Sequence, residues 1–258
     1  DALFGTVMGR PKTAMFKTAD LVGLDVLAHV AKNTYDLVED DEVRDRFVMP
    51  EFVNTMIDKK LLGKKTRCGF YKTDLTPEWQ KIRKVIDPAT LEYAEYELAS
   101  FPCLDAAKKA KTLPEKMQAV VYGDDKGAQL AWKAVAHNLI YAANRIPEIS
   151  DTIVEIDNAL KWGFNFEMGP FETWDAIGLA KSIEKMENDG MAVPPKVKKM
   201  LAAGNTAFYK SENGKHFYYD FAGESYTERV ISENIISLAS LKSTGKIVKE
   251  NRSASLID

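Results

Sequence analysis

Apolar residues recur at helical spacing along most of the chain. From Thr18, the positions Leu21, Leu24, Ala28, Ala31 and Tyr35 predict one amphipathic helix reaching about Val38, with Gly23 inside it at a cost of about 1 kcal/mol relative to alanine. A glycine there implies close approach of another helix or a ligand. The preceding Ala2–Gly9 stretch reads as a helix end and a turn, and Pro50 opens a helix through about Lys60 that closes near Gly63. Leu62–Tyr71 is a basic turn leading into a short extended piece. Thr76–Pro77 and Asp87–Pro88 look like the caps of two polar helices that connect one half of the chain to the other. Pro114 begins a short helix stopped by Gly123. The next helix, Gly127–Ile146, should be long, with Leu130, Trp132, Val135, Leu139, Ile140 and Ala143 inside and His137 a satisfied core histidine. Helices follow at Ser150–Trp162, at about Phe171–Asn188 and from Pro194–Pro195 to Gly204. Asn213–Gly214, between two alternating aromatic runs, predicts a small β-hairpin, and the polar end of the chain reads as one helix and a linker.

The pattern is also repeated. With a shift of 155 residues, Phe16, Thr18, Asp20, Val22, Gly23 and Leu24 fall on Phe171, Thr173, Asp175, Ile177, Gly178 and Leu179, and with a shift of 156 Asp1 falls on Asp157. One residue is therefore gained or lost in the turn before the phenylalanine. The fold expected is mainly α, in two pseudo-equivalent helical units.

Composition narrows the function classes. The 258 residues carry a net charge of −3, with 45% hydrophobic and 28% charged positions, which argues against nucleic acid as a partner. Two cysteines and three histidines, with no ligand-like spacing, point to neither a disulfide framework nor a metal centre. Cys103 is read as a packing residue. No run of apolar residues approaches the roughly 20 that span a bilayer, and a cytoplasmic location is expected. The glycines form no GxGxxG and no P-loop, and GxSxG, HExxH and CxxC do not occur. Lys64, Lys65 and Arg67 read either as an anion contact or as a solvated loop.

GRPKTAMFKTADLVGLD (9–25) followed by LLGKKTRCGFY (61–71) resembles the C-terminal domain of 3-hydroxyacyl-CoA dehydrogenases, and IDNALKWGFNFEMGPFETWDAIG (156–178) resembles it again. The resemblance covers about residues 1–220. It implies helical units of the 6-phosphogluconate dehydrogenase C-terminal-like type with a small hairpin. The boundaries implied are a first, N-terminally truncated repeat over 1–85, a helical connector over 86–125 and a second repeat over 126–230. A helix and linker over 231–258 would lead toward a hydratase domain outside the chain. Tandem copies, with YAANRIPEI (141–149) and the polar tail, are similar to fatty-acid oxidation proteins in which the dehydrogenase precedes an enoyl-CoA hydratase.

The same resemblance implies NAD as cofactor of the parent protein, bound by a Rossmann domain that also brings the catalytic His–Glu pair. The 3-hydroxyacyl-CoA would be met together with that domain, and a thiolase is an implied partner of the parent protein. No catalytic residue is assigned to this chain. Asn144–Arg145 is similar in wording to a site asparagine of the family, but it stands too close to Asp157 to match. Gly9, Arg10, Pro11, Lys12 and Phe16 are the expected substrate-lining residues, because a compact turn at a helix N-terminus offers free amides to a thioester oxygen or a CoA phosphate, and Arg10 and Lys12 add positive charge. In the second copy Asn165, Phe166 and Glu167 replace Gly9, Arg10 and Pro11. Glu167 would repel an anion there, and Trp162, Phe164 and Phe166 read as packing. The alternative to a dehydrogenase part is a non-catalytic helical scaffold.

Overall fold

The structure is a computed structural model that describes residues 1–213, 215–229, 247–251 and 255–257. It divides at Ser100/Phe101 into two compact units. In the first, two single 3-10 turns (Ala2–Phe4 and Thr6–Met8) precede α1 (Phe16–Val22), α2 (Leu24–Leu37) and α3 (Glu51–Asp58). Three antiparallel strands follow, β1 (Tyr71–Leu75), β2 (Lys81–Ile86) and β3 (Tyr93–Glu95), in the order β1-β2-β3.

The second unit opens with α4 (Pro102–Lys109) and α5 (Leu113–Val121), the latter started by a capping box between Thr112 and Glu115. The long α6 (Lys126–Asn144) and α7 (Ile153–Phe164) come next. They are followed by α8 (Pro170–Ile177), α9 (Leu179–Asn188) and α10 (Pro195–Ala202). A second three-stranded antiparallel sheet, β4 (Tyr209–Glu212), β5 (Lys215–Asp220) and β6 (Ser225–Glu228), completes the pattern, and β7 (Ile247–Glu250) pairs with β8 (Ser255–Ile257).

Each motif helix is in fact two. The helix predicted from Thr18 breaks at Gly23 (φ +103°), and its counterpart breaks at Gly178 (φ +92°), a backbone region that L side chains rarely adopt. The break turns the chain so that Leu24 and Leu179 are buried at the start of the next helix. Leu21, expected inside, is 52% exposed in consequence.

The two polar helices expected after Thr76 and Asp87 are absent from the described residues, and that part of the chain forms β1, β2 and β3 instead. Thr76 does not cap a helix. It closes the β1–β2 turn, its amide bonded to the Gln80 carbonyl and its hydroxyl accepting from the Glu78 and Gln80 amides. Residues 86–100, expected in a helical connector, thus belong to the first unit, and α4 and α5 to the second.

On α6, Trp132, Val135, Leu139 and Ala143 are buried as expected, but Leu130 is 57% exposed and His137 lies on the exposed face, not in the core. Trp162 and Phe164, read as packing, are exposed as well. The hairpin expected at Asn213 forms, with Asn213 at φ +52° and Gly214 outside the described residues. The helix expected in the tail also lies outside them, while the expected linker contributes β7 and β8.

Each unit has its own core. In the first, Leu24, Met56 and Ile86 are buried, with Phe52, Phe70 and Tyr93 packed against them. In the second, Phe171, Trp174, Ile177, Met186, Met200 and Phe208 are all at most 1% exposed. Among the described residues no helix is long and apolar enough to cross a membrane.

Candidate functional site

One arrangement of carboxylates, tyrosines and backbone amides occurs in each unit. In the first, the Asp1 carboxylate accepts from the amides of Met15, Phe16 and Lys17 and from the Tyr71 hydroxyl at 2.9 Å. Asp20, a turn further along α1, accepts from the amides of Phe70 and Tyr71 at 2.8 and 2.9 Å. In the second unit Asp157 accepts from the Phe171 and Glu172 amides and from the Tyr209 hydroxyl at 2.7 Å, and Asp175 accepts from the Phe208 and Tyr209 amides at 2.7 and 2.9 Å.

The rest of each unit repeats just as closely. Phe16 meets Phe70 edge-on at 4.8 Å, and Phe171 meets Phe208 at 5.0 Å. The Ile86 amide donates to the Phe70 carbonyl and the Tyr219 amide to the Phe208 carbonyl. Tyr93 donates to the Gly69 carbonyl at 2.6 Å and Tyr226 to the Ala207 carbonyl at 2.5 Å. The frame ties the start of each motif helix to the first strand of its sheet. In the first unit a Cβ at Gly69 would stand 2.1 Å from Asp20 Oδ1, whereas the second unit carries Ala207 at the matching place.

The profile of the family described as "3-hydroxyacyl-CoA dehydrogenase, C-terminal domain" matches residues 1–73 and 131–219, so it falls on both copies of the frame. The chain belongs to that family. A Bacillus subtilis (strain 168) protein named "Probable 3-hydroxyacyl-CoA dehydrogenase" is 45% identical over the whole of this chain, which covers 32% of that relative. A protein of Rickettsia felis, provisionally named a fatty acid oxidation complex trifunctional enzyme, is 27% identical over 67% of this chain and 22% of its own length. A Deinococcus radiodurans protein named "Probable 3-hydroxyacyl-CoA dehydrogenase" is 42% identical over 28% of this chain, which is 20% of the relative. The chain thus spans about a third or less of the length of these relatives.

Within this dehydrogenase domain, the expected substrate-lining residues fall into two groups. Gly9 is buried, with a left-handed backbone (φ +62°) that ends the second 3-10 turn, and Arg10 lies back over the Phe4 ring, 5.7 Å from its centroid, where burial pushes the guanidinium down from its ordinary range. Pro11 is half-buried. Lys12 is exposed, and Phe16 is 45% exposed against Phe70.

The turn does not offer an anion the free helix amides that its sequence predicts. The first amides of α1 are not free, because the Asp1 carboxylate takes those of Met15, Phe16 and Lys17. Asp157 does the same at α8, where Glu172 also accepts from the Gly169 amide. The recurrence of Asp1 and Asp157 in the aligned copies was the available signal for this capping role. The basic turn is similarly tied down in part: Lys65 pairs with Asp25 at 2.5 Å, whereas Lys64 and Arg67 are exposed.

Burial dominates the titration of the second frame. It raises Asp157 to about 7 against the donors from Tyr209 and Phe171, and Asp175 to about 6 against the amides of Phe208 and Tyr209. The neighbouring carboxylate of Asp157 adds to burial in pushing the Tyr209 hydroxyl far up. Cys103 is buried on α4, and burial followed by its contact with Asp125 raises the thiol to about 11, so it is protonated at neutral pH.

Each unit also holds a concavity. One of about 560 Å³ in the first is bordered by His29, Lys32, Tyr35, Val48 and Met49, and one of about 400 Å³ in the second by Tyr141, Arg145, Ile149, Ile156, Leu160 and Pro170. Among the described residues the sheets are antiparallel, and no glycine-rich turn leads from a strand into a helix, the arrangement that receives a dinucleotide's pyrophosphate in a doubly wound fold.

Proposed function

We propose that this chain is the substrate-side helical part of an NAD-dependent 3-hydroxyacyl-CoA dehydrogenase of fatty-acid β-oxidation, built as two copies of one domain. The observation that carries the reading is the repeated frame, Asp1–Tyr71–Asp20 and Asp157–Tyr209–Asp175, in a chain of this family. NAD is assigned to a dinucleotide-binding domain outside the chain, which would also supply the proton-transferring groups. This chain's residues then bind and orient the acyl-CoA against that domain. The multifunctional name of the Rickettsia felis relative supports a parent protein with further activities; an enoyl-CoA hydratase domain and a thiolase partner are part of the same proposal. By itself the chain should not oxidise 3-hydroxyacyl-CoA.

The first copy is the one that faces the substrate, along Gly9, Arg10, Pro11, Lys12 and Phe16. At the second copy the aligned turn carries Phe166 and Glu167. The glutamate repels an anionic ligand, and Phe166 rests against the Phe164 ring at 6.0 Å.

The test uses the Bacillus subtilis relative with its matching third replaced by this chain. Oxidation of a 3-hydroxyacyl-CoA is followed in that chimera with Pro11→Ala and Lys12→Ala combined, and separately with Phe166→Ala and Glu167→Ala combined. The larger loss of kcat/KM is expected in the first pair. A larger loss in the second pair at unchanged stability contradicts the assignment of the halves, and a folded parent chimera without turnover contradicts the function.

A further inference from the structure

We propose that Lys17 and Arg83, with the rings of Tyr71 and Tyr96, form a binding site for the phosphorylated adenosine end of a coenzyme A thioester. The inference rests on the reading of the chain as an acyl-CoA-binding part and adds a place for the end of the substrate remote from the reacting carbon.

The cations are gathered on one aromatic surface. Lys17 Nζ stands 5.7 Å from the Tyr71 ring centroid and Arg83 Cζ 5.4 Å from that of Tyr96, and the two rings meet at 5.9 Å and 69°. Burial first, and then the charges of Arg83 and Lys12, depress the Lys17 ammonium. Like charges are costly to crowd. Among the described residues no salt bridge offsets them, although Lys65, Lys72 and Lys84 in the same unit all have carboxylate partners. The nearby acid, Asp1, is taken up by three amides and the Tyr71 hydroxyl. A chain of net charge −3 has no general surplus of cations to scatter.

The second unit serves as an internal control. Glu172 occupies the place of Lys17, its amide bonding Asp157 as the Lys17 amide bonds Asp1. His216 and Arg229 occupy the places of Arg83 and Tyr96, since the Arg229 amide donates to the His216 carbonyl at 2.7 Å and the Tyr96 amide to the Arg83 carbonyl at 2.9 Å. There the aligned acid is neutralised by Lys161 at 2.6 Å. The same frame therefore folds with the charge inverted at its central position, and the cations of the first unit are not demanded by the fold. Guanidinium and ammonium groups on adjoining aromatic faces suit a ligand carrying both phosphates and a flat base. The phosphorylated adenosine of coenzyme A has both.

Calorimetric titration of the chain with coenzyme A, adenosine 3′,5′-bisphosphate, adenosine and inorganic phosphate tests the proposal. Coenzyme A and the bisphosphate should bind, more weakly as salt is raised, and adenosine should not. Lys17→Glu and Arg83→Ala should each raise the Kd at least tenfold, whereas Glu172→Lys should leave it unchanged. Lys17→Glu installs the residue that the second unit accommodates, and circular dichroism verifies its fold. Absence of bisphosphate binding, wild-type affinity in both folded variants, or equal affinity for inorganic phosphate overturns the site. The function proposed above is judged separately. Oxidation by the chimera with bisphosphate affinity unaffected by these substitutions rejects only the site, and bisphosphate binding by a chimera that oxidises nothing rejects only the function.

Discussion

The Tyr209 hydroxyl donates to the buried Asp157 carboxylate at 2.7 Å, joining the first strand of the second sheet to the cap of α8. Above about pH 7, where Asp157 is ionised, Tyr209→Phe removes one of the donors holding a carboxylate that is 1% exposed. A hydrogen bond to a charged group contributes about 1.5–3 kcal/mol, so a loss of that size is expected in urea unfolding followed by fluorescence. Tyr71→Phe should cost less, because Asp1 is only half-buried and keeps three amide donors.

The same frame makes stability depend on pH. Asp157 at about 7 and Asp175 at about 6 both lie above their unfolded value of 3.8, with burial the leading cause. A carboxyl whose folded pKa is raised binds its proton more tightly when folded, so its contribution is full below the unfolded pKa and is lost as pH rises through the folded one. Thermal melts should therefore show the second unit losing stability from about pH 4 to about pH 7 and levelling off above that. Asp175→Asn should flatten that slope while lowering stability overall, because one of the two strand amides then faces an amide donor. An unchanged slope in this variant would show that the carboxyl does not titrate in that range.

The breaks at Gly23 and Gly178 separate two costs. Around Gly178 a Cβ would meet nothing within 4 Å, so Gly178→Ala measures backbone strain alone, expected at about 1–3 kcal/mol by chemical denaturation. Gly23→Ala adds a contact at 2.9 Å with both Asp25 Oδ1 and Lys65 Nζ, the two ends of an ion pair. Its cost should exceed that of Gly178→Ala. At high salt, where the pair is already screened, the difference between them should shrink.

What was legible in the sequence was the motif and its repetition. Asp20 and Asp175, Phe16 and Phe171, Gly23 and Gly178 align because each has a backbone amide, a facing ring or a left-handed turn to satisfy. What was not legible depended on partners distant in the chain. Thr76–Pro77 and Asp87–Pro88 have the composition of helix caps, yet Tyr71–Leu75 finds its partner in Lys81–Ile86, and pairing overrides the local signal. Apolar spacing on α6 identified a helix but not which of its apolar residues were covered, hence the exposed Leu130. The cationic site was missed for the same reason: Lys17 and Arg83 are 66 positions apart, and only the sheet brings them onto adjoining rings.

The most direct measurement is NAD reduction by the Bacillus subtilis relative in which this chain replaces the matching region, compared with the relative's own protein and with this chain alone. The account predicts oxidation of a 3-hydroxyacyl-CoA by the chimera with kcat/KM within about tenfold of the relative, as expected when the groups that meet the transition state are kept in place. It predicts no turnover by the chain alone. A chimera that folds and binds NAD yet leaves the hydroxyacyl-CoA unoxidised, or a chain that oxidises it unaided, would contradict the account.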